Sequence, residues 1–228
     1  MIEPKEIIDL GQPLYTGMRN LGANMVAFWP TQTHETTSLE TAGKMEYSQK
    51  MMLLSEHCGT HMDAPFSWNK QGKTIDQIPV TSMVRPGYLC DFSDKKAREP
   101  ITISDFEEIE RKKGEPIGSE WAVIAWAGTC ENWGEEGFET ERPYIPTDTA
   151  EWLVARGIEV FATDIIGIDD PGQWWWPTHA IFQNAGVVMV QQLNNLDKLV
   201  DRDFLFVATP LKMLGGTASP VRPIAIVG

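Results

Sequence analysis

The segment His57-Cys58-Gly59-Thr60-His61-Met62-Asp63-Ala64-Pro65-Phe66-Ser67 carries two of the four histidines in a chain of 228 residues. Neutral imidazole nitrogens and a carboxylate oxygen bind a divalent cation at roughly 2.0–2.2 Å. The pattern His-x3-His-x-Asp supplies all three groups, and Gly59 lets the backbone curl so that His57 and His61 converge. A helix could also put both rings on one face, as in the zinc peptidase motif, but Cys-Gly-Thr stands between the histidines where that motif needs a Glu. Gly59 and Pro65 also make a helix poor. The segment therefore reads as a loop at a strand end. His57, His61 and Asp63 are its candidate metal ligands, and Cys58 is a small spacer, since no base accompanies its thiol.

Outward from this segment, apolar runs bounded by turn residues alternate with helical patterns, which predicts an α/β fold. Strands are expected at residues 7–10, 51–54, 88–92, 121–127, 158–163, 187–193, 204–208 and 224–227. Ser104 with Glu107 fits a capping box for a helix running to about Lys113 and stopping at Gly114. A second helix is expected from Thr147 or Thr149 to before Gly157. A third starts at Pro177, carries His179 and ends by Gly186. Residues 11–45, 66–79 and 128–146 lack periodicity and read as loops, where sites collect on a rigid sheet. No repeat or linker divides the chain, so residues 1–228 are expected to form one domain.

With 32 Asp+Glu against 19 Lys+Arg, the formal net charge is -13. A chain this acidic is repelled by DNA, RNA and anionic lipid, so a small-molecule substrate is the expected partner, with no nucleic acid and no membrane. No apolar run approaches the roughly 20 residues of a membrane span. The opening residues show no basic stretch followed by an apolar core, so no signal peptide is expected and the protein is placed in the cytoplasm. Three cysteines without C-x-x-C spacing argue against a disulfide framework. Nine tryptophans are the unusual component. Phe66, Trp68, Trp174, Trp175 and Trp176 lie close in sequence to the motif segments and are expected to wall an aromatic substrate pocket. His34, in a Thr-rich loop, is expected to fold over the site or to meet a neighbouring subunit.

The residues 57–65 resemble the signature of the metal-dependent cyclase family, the group of bacterial kynurenine formamidase and isatin hydrolase. The resemblance continues in Asp9-Leu-Gly-Gln-Pro-Leu-Tyr-Thr-Gly-Met18, Gly72-Lys-Thr-Ile-Asp-Gln-Ile-Pro79, Thr163-Asp-Ile-Ile-Gly-Ile-Asp169, His179 and Gln191-Gln-Leu-Asn-Asn-Leu196. It implies a swivelling β/β/α fold with a mixed central sheet or barrel and flanking helices, assembling as a homodimer or homotetramer. It also implies Zn or Mn, and hydrolysis of amide or formamide C–N bonds in small, often aromatic or cyclic substrates. His57, His61 and Asp63 match the family's metal ligands, while His179 and Gln191 match its distal pair.

Two departures shape the expectation. Gln191 stands where the family has Glu and brings a neutral oxygen, so one divalent ion per subunit is expected in preference to two. Ser67 stands where the family has its acid/base histidine, and a hydroxyl has no pKa near neutrality. Ser67 could orient a water or substrate, which leaves His179, Asp63 or a metal-bound water to move the proton, His179 being preferred. The alternative is a family member with altered hydrolysis, acting as a small-molecule binder, a Lewis-acid cyclase or dehydratase, or a lactonase. Ser67 as an introduced substitution in an active enzyme is a third reading.

Overall fold

A computed structural model describes residues 6–21 and 24–228. Residues 1–5 of the opening segment, on which the absence of a signal peptide was read, lie outside the described residues. In chain order the elements are β1 (Glu6–Asp9), β2 (Val26–Gln32), α1 (His34–Glu40), β3 (Gln49–Leu54), β4 (His61–Asp63) and β5 (Val84–Asp91). There follow α2 (Ile103–Lys113), β6 (Ala122–Trp126), α3 (Thr147–Ala155), β7 (Val160–Thr163) and α4 (Pro177–Asn184). The chain closes with β8 (Val188–Gln191), β9 (Phe204–Val207), β10 (Ala218–Pro220) and β11 (Ile224–Val227).

Helices α2, α3 and α4 each return the chain across the sheet, so β5, β6, β7 and β8 pair parallel in that order. Antiparallel strands extend both sides: β4 and then β10 beyond β8, and β9, β11 and β1 beyond β5. The nine strands curl into a half-barrel flanked by helices, the mixed α/β arrangement expected. Both faces of the central strands are buried, which is why they read as continuous apolar runs. Ile124, Ala162 and Val190 point into the hollow of the curl with Leu10, Leu193 and Phe206. Val123, Phe161 and Met189 point to the helices with Phe106, Leu153 and Phe182. Phe161 and Phe182 stack at 5.0 Å between centroids and fix α4 over the sheet.

Every expected strand and helix has its counterpart, and the differences have local causes. The cap of α2 is Thr102, whose side chain pairs with Asp105, rather than Ser104 with Glu107. Residues 11–45, expected as loop, contain β2 and α1. Helix α1 has no apolar face to reveal it. A Thr33–Thr36 capping box starts it, and the buried Thr37 hydroxyl bonds both the backbone N–H and carbonyl of Tyr47. His34 accordingly sits in the first turn of that helix, not in a loop. Strand β2 contains Pro30, tolerated because it pairs on one side only, with β3. Strands β4 and β10 are three residues each, too short for a pattern.

Asp164, directly after β7, is fully buried. Its Oδ1 accepts the Ala127 N–H at 2.8 Å, and its Oδ2 accepts those of Thr129 at 2.6 Å and Cys130 at 3.3 Å. Both oxygens thus hold the chain that leaves β6. Asp164→Asn would turn an amide nitrogen onto a backbone N–H. It is expected to lower the unfolding free energy by about 1–3 kcal/mol, read as a drop in the urea midpoint.

Candidate metal centre

His61 and Asp63 are two residues apart on β4, so the pleat puts both side chains on one face. That strand pairs with β8, with His61 opposite Gln191 and Asp63 opposite Met189. Since Met189 faces the helices, the polar trio His61, Asp63 and Gln191 opens on the helical side, beside α4. His57 arrives from the turn before β4. Gly59 in that turn has φ +60°, and a Cβ there would lie 2.2 Å from the Leu14 side chain, so any other residue would be strained and would displace that side chain. The Gly59 carbonyl sits 2.7 Å from His61 Nδ1.

These contacts set the protonation of both rings. His61 Nδ1–H donates to Gly59, which leaves Nε2 with a free lone pair 3.4 Å from Asp63 Oδ1. His57 Nε2 lies 3.2 Å from Thr217 Oγ1, whose own proton goes to Glu56 Oε2. Thr217 therefore accepts from His57, whose Nδ1 is left facing Asp63 Oδ1 at 2.7 Å. Asp63 Oδ1 is buried and has no aligned hydrogen-bond donor. Three lone-pair donors thus converge, all within 4.8 Å of one another. Such a set repels itself unless a positive charge sits among it, and two imidazoles with a carboxylate suit a divalent cation of the Zn or Mn type.

The electrostatics favour a positive charge at this point, whether a proton or a cation. Burial pushes the Asp63 carboxyl up, but the His61, His57 and His179 rings outweigh it and hold the group down to about 2. Burial keeps the His61 ring below its ordinary value and so neutral, the ligand form. At His57 burial also works downward, yet the hydrogen bond to Asp63 and the negative charges of Asp63 and Glu56 prevail and raise it, so that in the metal-free protein a proton on Nδ1 can neutralise the contact with Asp63 Oδ1. The site attracts positive charge at the point where the three donors meet.

Beside the cluster stands a histidine and carboxylate pair. His179, in the first turn of α4, bonds Asp169 through Nδ1. Asp169 also caps that helix, its Oδ1 accepting the N–H of Thr178 at 2.6 Å and of His179 at 3.3 Å. The cap comes from Asp169 because Trp176, at the helix start, has no acceptor in its side chain. With Nδ1–H committed to Asp169, His179 Nε2 accepts from Gln191 Nε2 at 3.1 Å. That same nitrogen donates to Asp63 Oδ2 at 2.9 Å, and Gln191 Oε1 accepts the Gly167 N–H at 2.9 Å. A backbone N–H can bond only the oxygen, which fixes the amide orientation. Gln191 therefore turns its nitrogen to the cluster and orients Asp63, a different part from the oxygen ligand expected of it.

The cluster opens into a cavity of about 310 Å³ lined by Ser67, Trp68, Trp176 and Gln192 as well as His57, His61, Asp63, His179 and Gln191. Trp176 has a left-handed backbone, φ 53°, uncommon for so large a residue. The turn brings its ring to 5.0 Å from His179 and stacks it on Trp68 at 6.4 Å. Of the expected aromatic wall, Trp68 and Trp176 line the cavity. Phe66, Trp174 and Trp175 do not, and Trp174 is 82 % exposed. His34 is exposed and away from the lining. Asp169, Glu56, Thr217 and Gln192 were not singled out by the sequence reading. Asp169 closes a stretch matched to the family, which was its one available signal. A larger cleft of about 470 Å³ lies elsewhere, against α2. Its Lys95 is paired with Asp105 at 2.9 Å and Glu99 at 3.3 Å.

A half-barrel in which the short β4 and the turn before it bring together two imidazoles and a carboxylate defines an α/β enzyme with a candidate cation site. The chain belongs to the family described as putative cyclase, which matches it over residues 8–170. Kynurenine formamidase of Bacillus cereus is 26% identical over 227 residues, 98% of this chain and 98% of that protein. Isatin hydrolase of Roseibium aggregatum is 28% identical over 214 residues, 86% of this chain and 81% of that protein. Isatin hydrolase A from Ralstonia solanacearum shares the fold, with a TM-score of 0.87 at 23% identity over 98% of this chain and 92% of that one.

Proposed function

We propose that the protein is a metal-dependent hydrolase that opens the C–N bond of a small cyclic or aryl amide or imide. The observation that carries this reading is the convergence of His57, His61 and Asp63 beside the His179–Asp169 pair in one aromatic-walled cavity. His57, His61 and Asp63 would hold one cation of the Zn or Mn type. When bound, such an ion supplies Lewis acidity and makes water nucleophilic near neutral pH.

The remaining work falls to the chain's own side chains. Gln191 keeps Asp63 Oδ2 engaged, so that Oδ1 is the oxygen turned to the imidazoles. Asp169 holds His179 in the tautomer whose Nε2 is a base facing the cavity. His179 Nε2 exchanges the Gln191 N–H for the attacking water, takes its proton and returns it to the leaving nitrogen, the part that Ser67 cannot play. Trp68 and Trp176 offer flat apolar walls to a planar substrate.

The same reading places the protein in the cytoplasm as a homodimer or homotetramer. All three cysteines are free, in keeping with a reducing compartment. Strands β2 and β3 pair only with each other and expose Trp29, Met51, Met52 and Leu53. A two-stranded ribbon is marginal alone in water, and an apolar surface of this kind suits a subunit contact.

A panel of isatin-type imides, lactams, lactones and aryl formamides tests the proposal. Turnover confined to C–N compounds and abolished by a chelator is expected. Turnover of lactones alone, or turnover that survives metal removal, would contradict it.

A further inference from the structure

Strand β8 ends at Gln191, and the next residue, Gln192, has a left-handed backbone with φ 62°. Successive side chains on a strand point to opposite faces. The left-handed turn breaks that alternation, so both glutamines line the same cavity. The conformation is uncommon for a residue other than glycine and persists only where its surroundings enforce it. Here the Gln192 carbonyl accepts the Thr60 hydroxyl at 2.7 Å, and Thr60 Oγ1 accepts the Gln12 N–H at 2.8 Å. The following Leu193 N–H is held by the Thr163 carbonyl at 3.0 Å.

The Gln192 side chain is 2 % exposed, and its Oε1 is buried without a hydrogen-bond partner. Among the described residues lining the cavity, one other buried side-chain oxygen lacks a partner. It is Asp63 Oδ1, which faces the two imidazoles. Gln191 is fully engaged by Gly167, Asp63 and His179. Asn24 is held by Ser55 and the His57 carbonyl. A buried acceptor left unpaired in the free protein is unfavourable, and a ligand that brings a donor relieves it.

We propose that Gln192 Oε1 accepts the N–H of the bond to be broken and so selects substrates with a free amide or imide N–H. The assignment rests on the C–N hydrolase reading of this cavity and adds a substrate requirement to it. N-alkylated amides and lactones lack the donor and leave Oε1 unpaired.

The test compares isatin with N-methylisatin and formanilide with N-methylformanilide, using wild type and Gln192→Met at equal metal content. Met matches Gln in length but carries only a weak acceptor. Wild type is expected to prefer the N–H member of each pair in kcat/KM by roughly tenfold or more. Gln192→Met should lower the N–H member by roughly that factor more than the N-methyl member, so that the preference between the two collapses. Isatin binding, followed by quenching of the indole fluorescence of Trp68 and Trp176, should weaken in parallel. A variant that lowers both members alike, or neither, overturns the assignment. So does a wild type indifferent to N-methylation, a result that needs no variant to fold. A wild type inactive on all four compounds overturns the hydrolase reading itself, and the assignment with it.

Discussion

His61→Ala is expected to abolish stoichiometric metal binding and to lower kcat/KM by on the order of a thousandfold or more. The His61 ring is buried, neutral, and fixed by Gly59 with its bare Nε2 toward Asp63. No described side chain stands ready to replace it, because Gln191 offers its nitrogen and Ser67 has no imidazole. The backbone of β4 remains paired on both sides, with β8 and β10, so the fold should survive. Metal content, activity and circular dichroism on one preparation check this. Retained activity with a native spectrum would show that His61 is not a ligand.

Asp169→Asn is expected to lower kcat by roughly a hundredfold to ten-thousandfold, with metal content unchanged. The Asn oxygen can still cap α4 by accepting the Thr178 N–H. Its nitrogen then faces His179 Nδ1, which must become the acceptor, so the ring proton moves to Nε2. That proton would oppose the Gln191 nitrogen 3.1 Å away and remove the base from the cavity. The effect on KM should be small, since Asp169 does not line the cavity. A parallel loss of metal or of helical signal would assign Asp169 a structural part alone.

Much of this was legible in the chain because the informative features are local. The central strands are buried on both faces and announce themselves as apolar runs, and Pro177 and Gly114 mark helix ends by backbone chemistry. The three convergent donors lie within one segment, where the glycine turn expected at Gly59 brings His57 to the strand end that carries His61 and Asp63. What escaped depends on partners far away in sequence. Asp169 meets His179 ten residues on, and nothing between them is periodic. Thr217 and Glu56 meet across a separation of 161 residues. The part played by Gln191 turns on which end of its amide faces Gly167, which no sequence pattern encodes. Trp174, Trp175 and Trp176 are consecutive and chemically alike, yet only Trp176 takes the left-handed backbone that turns its ring onto His179. Helix α1 formed through threonine hydroxyls rather than an apolar stripe, so periodicity could not find it.

The central claim is that His57, His61 and Asp63 form a single cation site. Elemental analysis of the purified full-length protein, alongside its His61→Ala variant, tests it most directly. About one Zn or Mn per chain is expected in the wild type, lost on chelation and regained on adding the metal, with none in the variant. A wild type that neither carries nor takes up a divalent metal would contradict the account, as would a variant that retains one.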